Sequence, residues 1–286
     1  MEVLEQLEIT DWSGPFPRGA VAALEAGKIL YAPRLKFELT EAERRFLSPD
    51  YLDGTAKNMS LDPAIGALRG ASAAGTDRDD LQRMLRRFST QAHGLAAGLC
   101  PGYRDRLQVG LASFRPAEIA GRVTSWRKDD TRLHVDAFPS RPNQGRRILR
   151  VFANVGGTVR LWKAGEPFQQ VAERFFPGVR RPFPGSSWLL HCLRIVKGRR
   201  TLYDHFMLGI HDRMKADQNY QAQVSQTEIA FPAGSTWACF TDCVSHAALS
   251  GQFAFEQTFY LPVEAMQDST RSPLRVLERL AGRSLA

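Results

Sequence analysis

The second half of the chain is a series of short segments rich in β-branched and aromatic residues. The series begins near Leu107, and turns containing Pro and Gly separate its members. Many short strands at this spacing are typical of a β-sandwich or barrel rather than of a parallel α/β sheet. The predicted strands are LQVGLASF, RRILRVFANV, TVRLWKA, SWLLHCLRIV, TEIAFP, TWACFTD and FAFEQTFYLP.

Helical patterns precede this series, interrupt it once and close it. Residues 77–100 place apolar side chains at helical spacing, with arginines on the other face. A second such pattern spans 200–221, and 272–282 begins with Ser-Pro and ends with Gly, as helices do. We therefore predict an α+β protein. A mainly helical N-terminal region, residues 1–106, packs on a double-stranded β-helix (jelly roll) core with flanking helices, residues 107–286.

Two side chains of metal-ligand type are expected on one face of a strand. His134 and Asp136 are two residues apart, and alternate residues of a strand share a face. A single His-x-Asp often arises by chance, so a further ligand is needed. His246 lies just before the last predicted strand, where a third ligand of a jelly roll would close on an early His-x-Asp.

The other downstream histidines suit this role less well. His191 lies in an apolar run and is expected to be a core histidine, and His205 and His211 lie on a predicted helix. The remaining two histidines and one carboxylate match the facial triad of Fe(II) oxygenases. That triad leaves adjacent positions on the iron open for a co-substrate and dioxygen. Manganese or zinc at the same ligands is the alternative.

An arginine inside an apolar strand indicates a carboxylate partner. In RRILRVFANV, alternation puts Arg150 and Arg147 on opposite faces. A buried arginine is costly unless it is paired. A bound carboxylate such as 2-oxoglutarate would pair Arg150 bidentately. The alternatives are that Arg150 points outward or binds a protein carboxylate.

The net charge and the cysteine content indicate the kind of partner and the cellular compartment. The net charge of +8 and the pI near 9.6 favour an anionic partner, or else simply a basic surface that keeps the protein soluble. The four cysteines form no Cys-x-x-Cys pair, so reduced cytosolic thiols are expected. Neither a signal peptide nor an apolar run of spanning length is seen, and a cytoplasmic location is predicted.

Longer stretches of the sequence resemble the Kdo hydroxylases. These are Fe(II)- and 2-oxoglutarate-dependent dioxygenases that act on 3-deoxy-D-manno-oct-2-ulosonic acid (Kdo), a sugar of Gram-negative lipopolysaccharide. The resemblance implies that His134, Asp136 and His246 bind iron, that 2-oxoglutarate and dioxygen are consumed, and that ascorbate serves as reductant. The resembling stretches are KNMSLDP, LHVDAFPSRPNQGRRILRVFANV, YDHFMLGIHDRMKADQNYQ and FPAGSTWACFTDCVSHAALSGQFAFEQTFYLP.

One position departs from the wider superfamily. Many relatives carry a basic residue about ten positions after the distal histidine, where it holds the far carboxylate of 2-oxoglutarate. Here Phe253 and Phe255 stand in that region. The anchoring charge is therefore expected from Arg150. Gln257, on the same face as Phe255, is expected to add a hydrogen bond.

The resemblance implies hydroxylation at C3 of the Kdo sugar of Kdo-lipid A, which gives the sugar Ko. This substrate carries a carboxylate and lipid phosphates, which suits a basic protein that contacts the anionic inner membrane peripherally. Trp126 and Trp162 could stack on a sugar ring, although core packing is favoured for both. The candidates for the basic surface are Arg122, Arg127, Lys128, Arg132 and Lys163.

Two other functions compete with this one. A nucleic-acid demethylase of the same superfamily would use the same metal. However, the sequence has no Lys/Arg-rich tail and no aromatic-basic stretch for base stacking, so no nucleic-acid partner is expected. A metal-free, sugar-binding jelly roll would bind no Fe(II) and consume no 2-oxoglutarate.

Overall fold

A computed structural model describes residues 3–54, 56–183, 196 and 198–286. The helices in this part of the chain are α1 (Ala20–Glu25), α2 (Gly75–Leu99), α3 (Phe168–Phe175), α4 (Leu202–Ala216), α5 (Gln218–Gln223) and α6 (Pro273–Ala281). The strands are β1 (Leu4–Gln6), β2 (Ile29–Ala32), β3 (Met59–Asp62), β4 (Ala67–Arg69), β5 (Gln108–Arg115), β6 (Arg147–Asn154), β7 (Arg160–Pro167), β8 (Thr227–Phe231), β9 (Thr236–Phe240), β10 (Val244–Ser250) and β11 (Ala254–Leu261).

These strands form two sheets. The main sheet has the order β1-β2-β9-β6-β11-β5-β3-β4, and the small sheet has the order β10-β7-β8. Aromatic side chains join the inner faces: Trp162 of β7 lies 5.0 Å from Phe152 and 5.5 Å from Trp237, measured between ring centroids. Phe231 of β8 stacks on Trp237 at 4.0 Å. The α+β fold with a jelly-roll core is confirmed.

The N-terminal region contributes to both edges of the main sheet. Strands β1 and β2 extend the sheet beyond β9, and β3 and β4 extend it beyond β5. Strands β3 and β4 form a hairpin within residues 53–76, a stretch rich in Gly, Ala and Ser. The long helix α2 covers the outer face of the sheet, where Phe88 stacks on Phe255 at 4.8 Å. The boundary near residue 106 stays a prediction, because strands from both sides of it share one sheet.

Both predicted ends of the last helix, α6, are confirmed. The Ser272 hydroxyl accepts a hydrogen bond from the Arg275 backbone N–H at 3.2 Å, and Gly282 ends α6 with a φ of 65°. The predicted strand that contains His191 lies outside the described residues, except for Val196. Among the described helices, none combines the length and hydrophobicity that a membrane span requires.

A buried ion pair fixes the start of β6. The Arg147 guanidinium binds Asp242 with two contacts, Nε to Oδ2 at 2.8 Å and Nη2 to Oδ1 at 3.1 Å. Both side chains are completely buried, and the guanidinium lies 3.9 Å from the centre of the Phe240 ring. Arg147 is therefore already paired within the protein, on the face opposite to Arg150.

We expect Arg147→Met to lower the free energy of unfolding by about 3–5 kcal/mol, because it leaves the Asp242 carboxylate buried without its partner. Urea unfolding would measure the loss. The control is Arg34→Met, which breaks an ion pair with Glu8 whose side chains are both more than half exposed and should cost about 0–1 kcal/mol. Equal losses in the two variants would contradict the expectation.

Candidate active site

Two histidines meet where the small sheet joins the chain segment that precedes β6. A single antiparallel bridge connects them: the His134 N–H donates to the His246 carbonyl at 3.0 Å, and the reverse bond is 2.9 Å. His246 lies inside β10, the strand that directly precedes the last strand β11. His134 lies in an irregular segment rather than in a regular strand. The bridge sets the two ring centroids 4.6 Å apart.

Asp136 completes the group. Its backbone N–H donates to the Thr241 carbonyl at 2.8 Å, which continues the extended pairing begun at His134. The carboxylate therefore points to the same side as the His134 ring, and His134 Nε2 lies 3.8 Å from Asp136 Oδ1. One potential ligand atom from each of His134, Asp136 and His246 lies within 4.8 Å of the other two, and all three residues are buried. The structure thus brings the predicted triad together.

The protonation states in the triad suit a divalent metal. Each Nδ1 lies 2.8 Å from a backbone carbonyl, that of Arg132 for His134 and that of Val244 for His246. An Nδ1–H that donates there leaves Nε2 as the free ligand atom. Burial lowers the pKa of both imidazoles below 6.5, so both are neutral near pH 7.

The carboxylate of Asp136 is ionised. Burial alone would raise its pKa, but the charge of Arg150 holds the pKa well below its usual value of 3.8. Its Oδ2 makes no hydrogen bond to any described residue. Two neutral nitrogens and one anionic oxygen with a spare lone pair are the donor set that Fe(II) takes in a facial triad.

The triad opens into a cavity of about 280 Å³. Its walls come from the main sheet, from β7 and from α4. The side chains that surround the triad there are Arg115, Arg150 and Glu256 of the main sheet, Arg160 and Trp162 of β7, and His211 and Lys215 of α4.

Arg150 faces this cavity, which is one of the two faces that alternation along β6 allowed for it. Its Nη2 lies 3.2 Å from Asp136 Oδ2, and its Nη1 lies 3.1 Å from Glu256 Oε1. Arg150 therefore pairs with protein carboxylates, which was one of the alternatives raised from the sequence. The Arg150 Nε, buried and without a hydrogen-bond partner among the described residues, is left for a further acceptor.

The prediction that Gln257 binds the co-substrate is wrong. In the β11–β6 pairing, Thr258 lies opposite Arg150 and Gln257 lies opposite Val151. Because paired residues share a face, Gln257 points away from the triad, towards the face that α2 covers. Its side-chain N–H₂ donates to the carbonyls of Gly110 at 3.2 Å and Thr258 at 2.7 Å. Alternation grouped Gln257 with Phe255 correctly, but that face is the outer one.

Sequence reasoning missed two arginines of the cavity. Arg160 is 3% exposed, and burial together with the nearby Arg115 lowers its pKa to about 9. Its Nη1 donates to the Gly251 carbonyl at 3.2 Å. The Nε atoms of Arg115 and Arg160 and the Nε1 of Trp162 are buried without a hydrogen-bond partner in the described residues. Arg160 alternates with Trp162 on one strand, and this pattern is the sequence signal that could have identified Arg160 as a residue of the cavity.

The basic residues predicted at the site divide into two groups. Arg127 and Lys128 line the cavity. The other three make local contacts: Arg132 pairs with Asp129 at 3.1 Å, Lys163 reaches Glu228 at 3.9 Å, and Arg122 binds backbone carbonyls.

The structure also places the two tryptophans and the helical histidine considered in the sequence analysis. Trp162 packs in the core, as favoured, and also stacks on His246 at 5.2 Å. Trp126 is half-buried in a short 3₁₀ turn. His211, set aside as a metal ligand because it lies on a helix, still lies at the site, with its ring 5.4 Å from that of His134.

Comparisons with known proteins agree on one family. The family model for 3-deoxy-D-manno-oct-2-ulosonic acid (Kdo) hydroxylase matches residues 15–284. Among solved structures, the chain is similar to the Kdo hydroxylase KdoO, a non-heme Fe(II) alphaketoglutarate dependent dioxygenase, in complex with cobalt(II). The identity is 43%, the TM-score is 0.97, and the match covers 99% of this chain and 97% of that chain. A search of curated protein sequences found no match.

Two further structures of KdoO have the same coverage, 99% of this chain and 97% of theirs. One is in complex with alphaketoglutarate and Fe(III), with 42% identity and a TM-score of 0.96. The other is the apo structure, with 43% identity and a TM-score of 0.96.

We expect Asp136→Ala and His246→Ala to lose Fe(II) binding by far more than the roughly 10–100-fold that the loss of an outer-shell partner costs, because each removes a direct ligand. Anaerobic calorimetry would measure the affinity, and circular dichroism would check that the fold persists. His211→Ala is the matched control, since it removes a histidine of the same cavity that is outside the triad. Wild-type affinity in either triad variant would contradict the assignment.

Proposed function

Because the chain belongs to the Kdo hydroxylase family, we propose that it is an Fe(II)- and 2-oxoglutarate-dependent dioxygenase that hydroxylates C3 of the Kdo sugar in Kdo-lipid A, giving Ko. The observation that carries the proposal is the buried triad of His134, Asp136 and His246 beside an arginine-lined cavity. A metal-free sugar-binding protein would have no use for two neutral histidines and an ionised carboxylate converging in one buried place.

The triad would hold Fe(II) through the Nε2 atoms of its histidines and a carboxylate oxygen of Asp136. When bound, the iron with 2-oxoglutarate and dioxygen supplies the oxidant that a C3 methylene needs, since that carbon is not acidic enough for a general base. Ascorbate would keep the iron reduced. The protein's own part is to keep both imidazoles neutral and Asp136 ionised.

The co-substrate would bind on the side of the cavity that the two sheets form. Four buried N–H donors of these sheets have no hydrogen-bond partner among the described residues: the Nε atoms of Arg115 and Arg150 on the main sheet, and the Nε of Arg160 and the Nε1 of Trp162 on β7. A dicarboxylate is rich in acceptors and carries the charge that would satisfy them. Arg150 is the first candidate for its far carboxylate, as the sequence suggested, and Arg160 joins it.

A peripheral contact with the anionic cytoplasmic face of the inner membrane is part of the proposal. The chain carries a net charge of +8, and the exposed Arg127 and Lys128 lie at the cavity. Val123, in the preceding loop, is 98% exposed. Co-sedimentation with vesicles that contain or lack anionic lipid decides whether this contact forms.

The product is the direct test. Kdo-lipid A incubated with the protein, Fe(II), 2-oxoglutarate and ascorbate should gain one oxygen atom at C3, and mass spectrometry under ¹⁸O₂ should find the label there. Asp136→Ala is the control that keeps the protein but lacks a metal ligand. Oxidation of methylated nucleic acid with no change in Kdo would favour the demethylase instead.

Arg150→Ala should raise the 2-oxoglutarate concentration required for half-maximal turnover at least roughly tenfold. A charge-assisted hydrogen bond is worth roughly 1.5–3 kcal/mol, and about 1.4 kcal/mol corresponds to a factor of ten. Steady-state kinetics at saturating Fe(II) would measure it, with iron affinity checked separately because Arg150 also pairs with Asp136. Gln257→Met, on the opposite face, is the comparison and should leave the requirement unchanged. The reverse ranking would restore Gln257 as the ligand.

A further inference from the structure

We propose that Lys215 binds the carboxylate of the sugar substrate and thereby sets which carbon faces the metal. This inference rests on the proposed function and adds a specificity-determining residue to it. Lys215 lies in the last turn of α4 and lines the same cavity as His134 and His246.

Lys215 is a buried cation that lacks a counter-ion. The residue is 2% exposed, and its Nζ donates to the Arg127 carbonyl at 3.1 Å. An ammonium group has three donors, so two are left. Across the described ranges of the chain, no carboxylate forms an ion pair with it. Burial accordingly lowers the pKa of Lys215.

The acidic residues near Lys215 are committed elsewhere. Asp130 lies 3.5 Å from Lys57 Nζ, and Asp212 lies 3.1 Å from Arg127 Nε. Asp129 pairs with Arg132 at 3.1 Å, and Asp136 pairs with Arg150 at 3.2 Å. A buried charge without a partner is costly, and a structural role alone would be served by an apolar side chain. Lys215 is therefore available to bind an anion that enters the cavity.

The cavity separates its cations into two sets. The two sheets carry Arg115, Arg150 and Arg160, of which Arg115 and Arg150 converge on Glu256, with Nη–Oε distances of 2.7 and 3.1 Å. The helix α4 carries Lys215, which lines the same cavity as His134 and His246. The reaction brings two carboxylate-bearing molecules to one metal, and two separate cation sets can receive one each.

The chemistry of the substrate places its carboxylate close to the metal. In a 2-ulosonic acid the carboxylate is C1, which is bonded to C2, and C2 is bonded to the reacting C3. A group that clamps C1 therefore has to lie within a few ångströms of the triad. Lys215 lines the cavity into which the triad opens, whereas Arg132 and Lys163 do not. Small errors of position are costly in rate, so this clamp would select C3.

His211 supports the same side of the cavity. Its Nδ1 lies 3.0 Å from Asp212 Oδ1, and its Nε2 has no hydrogen-bond partner among the described residues. The ring stands edge-on to His134. It can therefore offer Nε2 to a sugar hydroxyl next to the carboxylate that Lys215 holds.

The test compares two ligands on the protein loaded with Co(II) and 2-oxoglutarate, so that binding is measured without turnover. The ligands are a Kdo glycoside and its C1 carboxamide, and calorimetry gives both affinities. Wild type should prefer the acid by tenfold or more, the scale of one charge-assisted hydrogen bond. Lys215→Met, which keeps the stem without the charge, should bring the ratio near one. Lys215→Arg should keep a preference for the acid.

Controls separate this inference from the function on which it rests. Lys163→Met removes a lysine outside the cavity and should keep the wild-type ratio, and 2-oxoglutarate affinity should be unchanged in Lys215→Met. An unchanged ratio in Lys215→Met, or equal binding of acid and carboxamide by wild type, overturns the role of Lys215 and leaves the proposed function standing. Loss of 2-oxoglutarate binding in Lys215→Met assigns the residue to the co-substrate and overturns it too. Binding of neither sugar by wild type overturns both proposals.

Discussion

The backbone bridge between His134 and His246 is the contact on which the site depends. Two hydrogen bonds of about 3 Å fix the histidines relative to each other, and the Asp136 N–H bond to Thr241 adds the carboxylate. The triad is therefore aligned by main-chain geometry. The carbonyls that accept from each Nδ1 belong to the same two segments, so backbone pairing also selects the tautomer.

Charge around the triad is arranged to receive anions. Three buried basic side chains, Arg150, Arg160 and Lys215, line the cavity with two buried carboxylates, Asp136 and Glu256. Both carboxylates contact Arg150, which leaves Arg160 and Lys215 without an ion pair in the described part of the chain. A metal ion adds further positive charge, and carboxylate ligands compensate it. The electrostatics thus favour loading with metal and carboxylates together.

Features that depend on neighbouring residues could be predicted from the sequence. Features made by pairing between distant segments of the chain could not. His134 and Asp136 share a side because they are two residues apart, and Arg150 follows the same rule. Alternation tells which residues share a face but not which face is inside, and α2, more than 150 residues before Gln257, decides that. Arg115 and Arg160 stand at strand ends that approach each other only in the folded sheets. Strands β1 to β4 are three or four residues long, too short for a visible period.

The contribution of the N-terminal region to both edges of the main sheet has a consequence for how the protein folds. Leu30 of β2 pairs with Ala238, and Met59 of β3 pairs with Phe114. The first strands synthesised therefore cannot pair until later parts of the chain are available. His134 and His246 are themselves separated by most of the second half of the chain. Folds dominated by such non-local pairings reach the native state slowly. The metal-binding group would therefore assemble late, and uptake of metal would report that the sheets have closed.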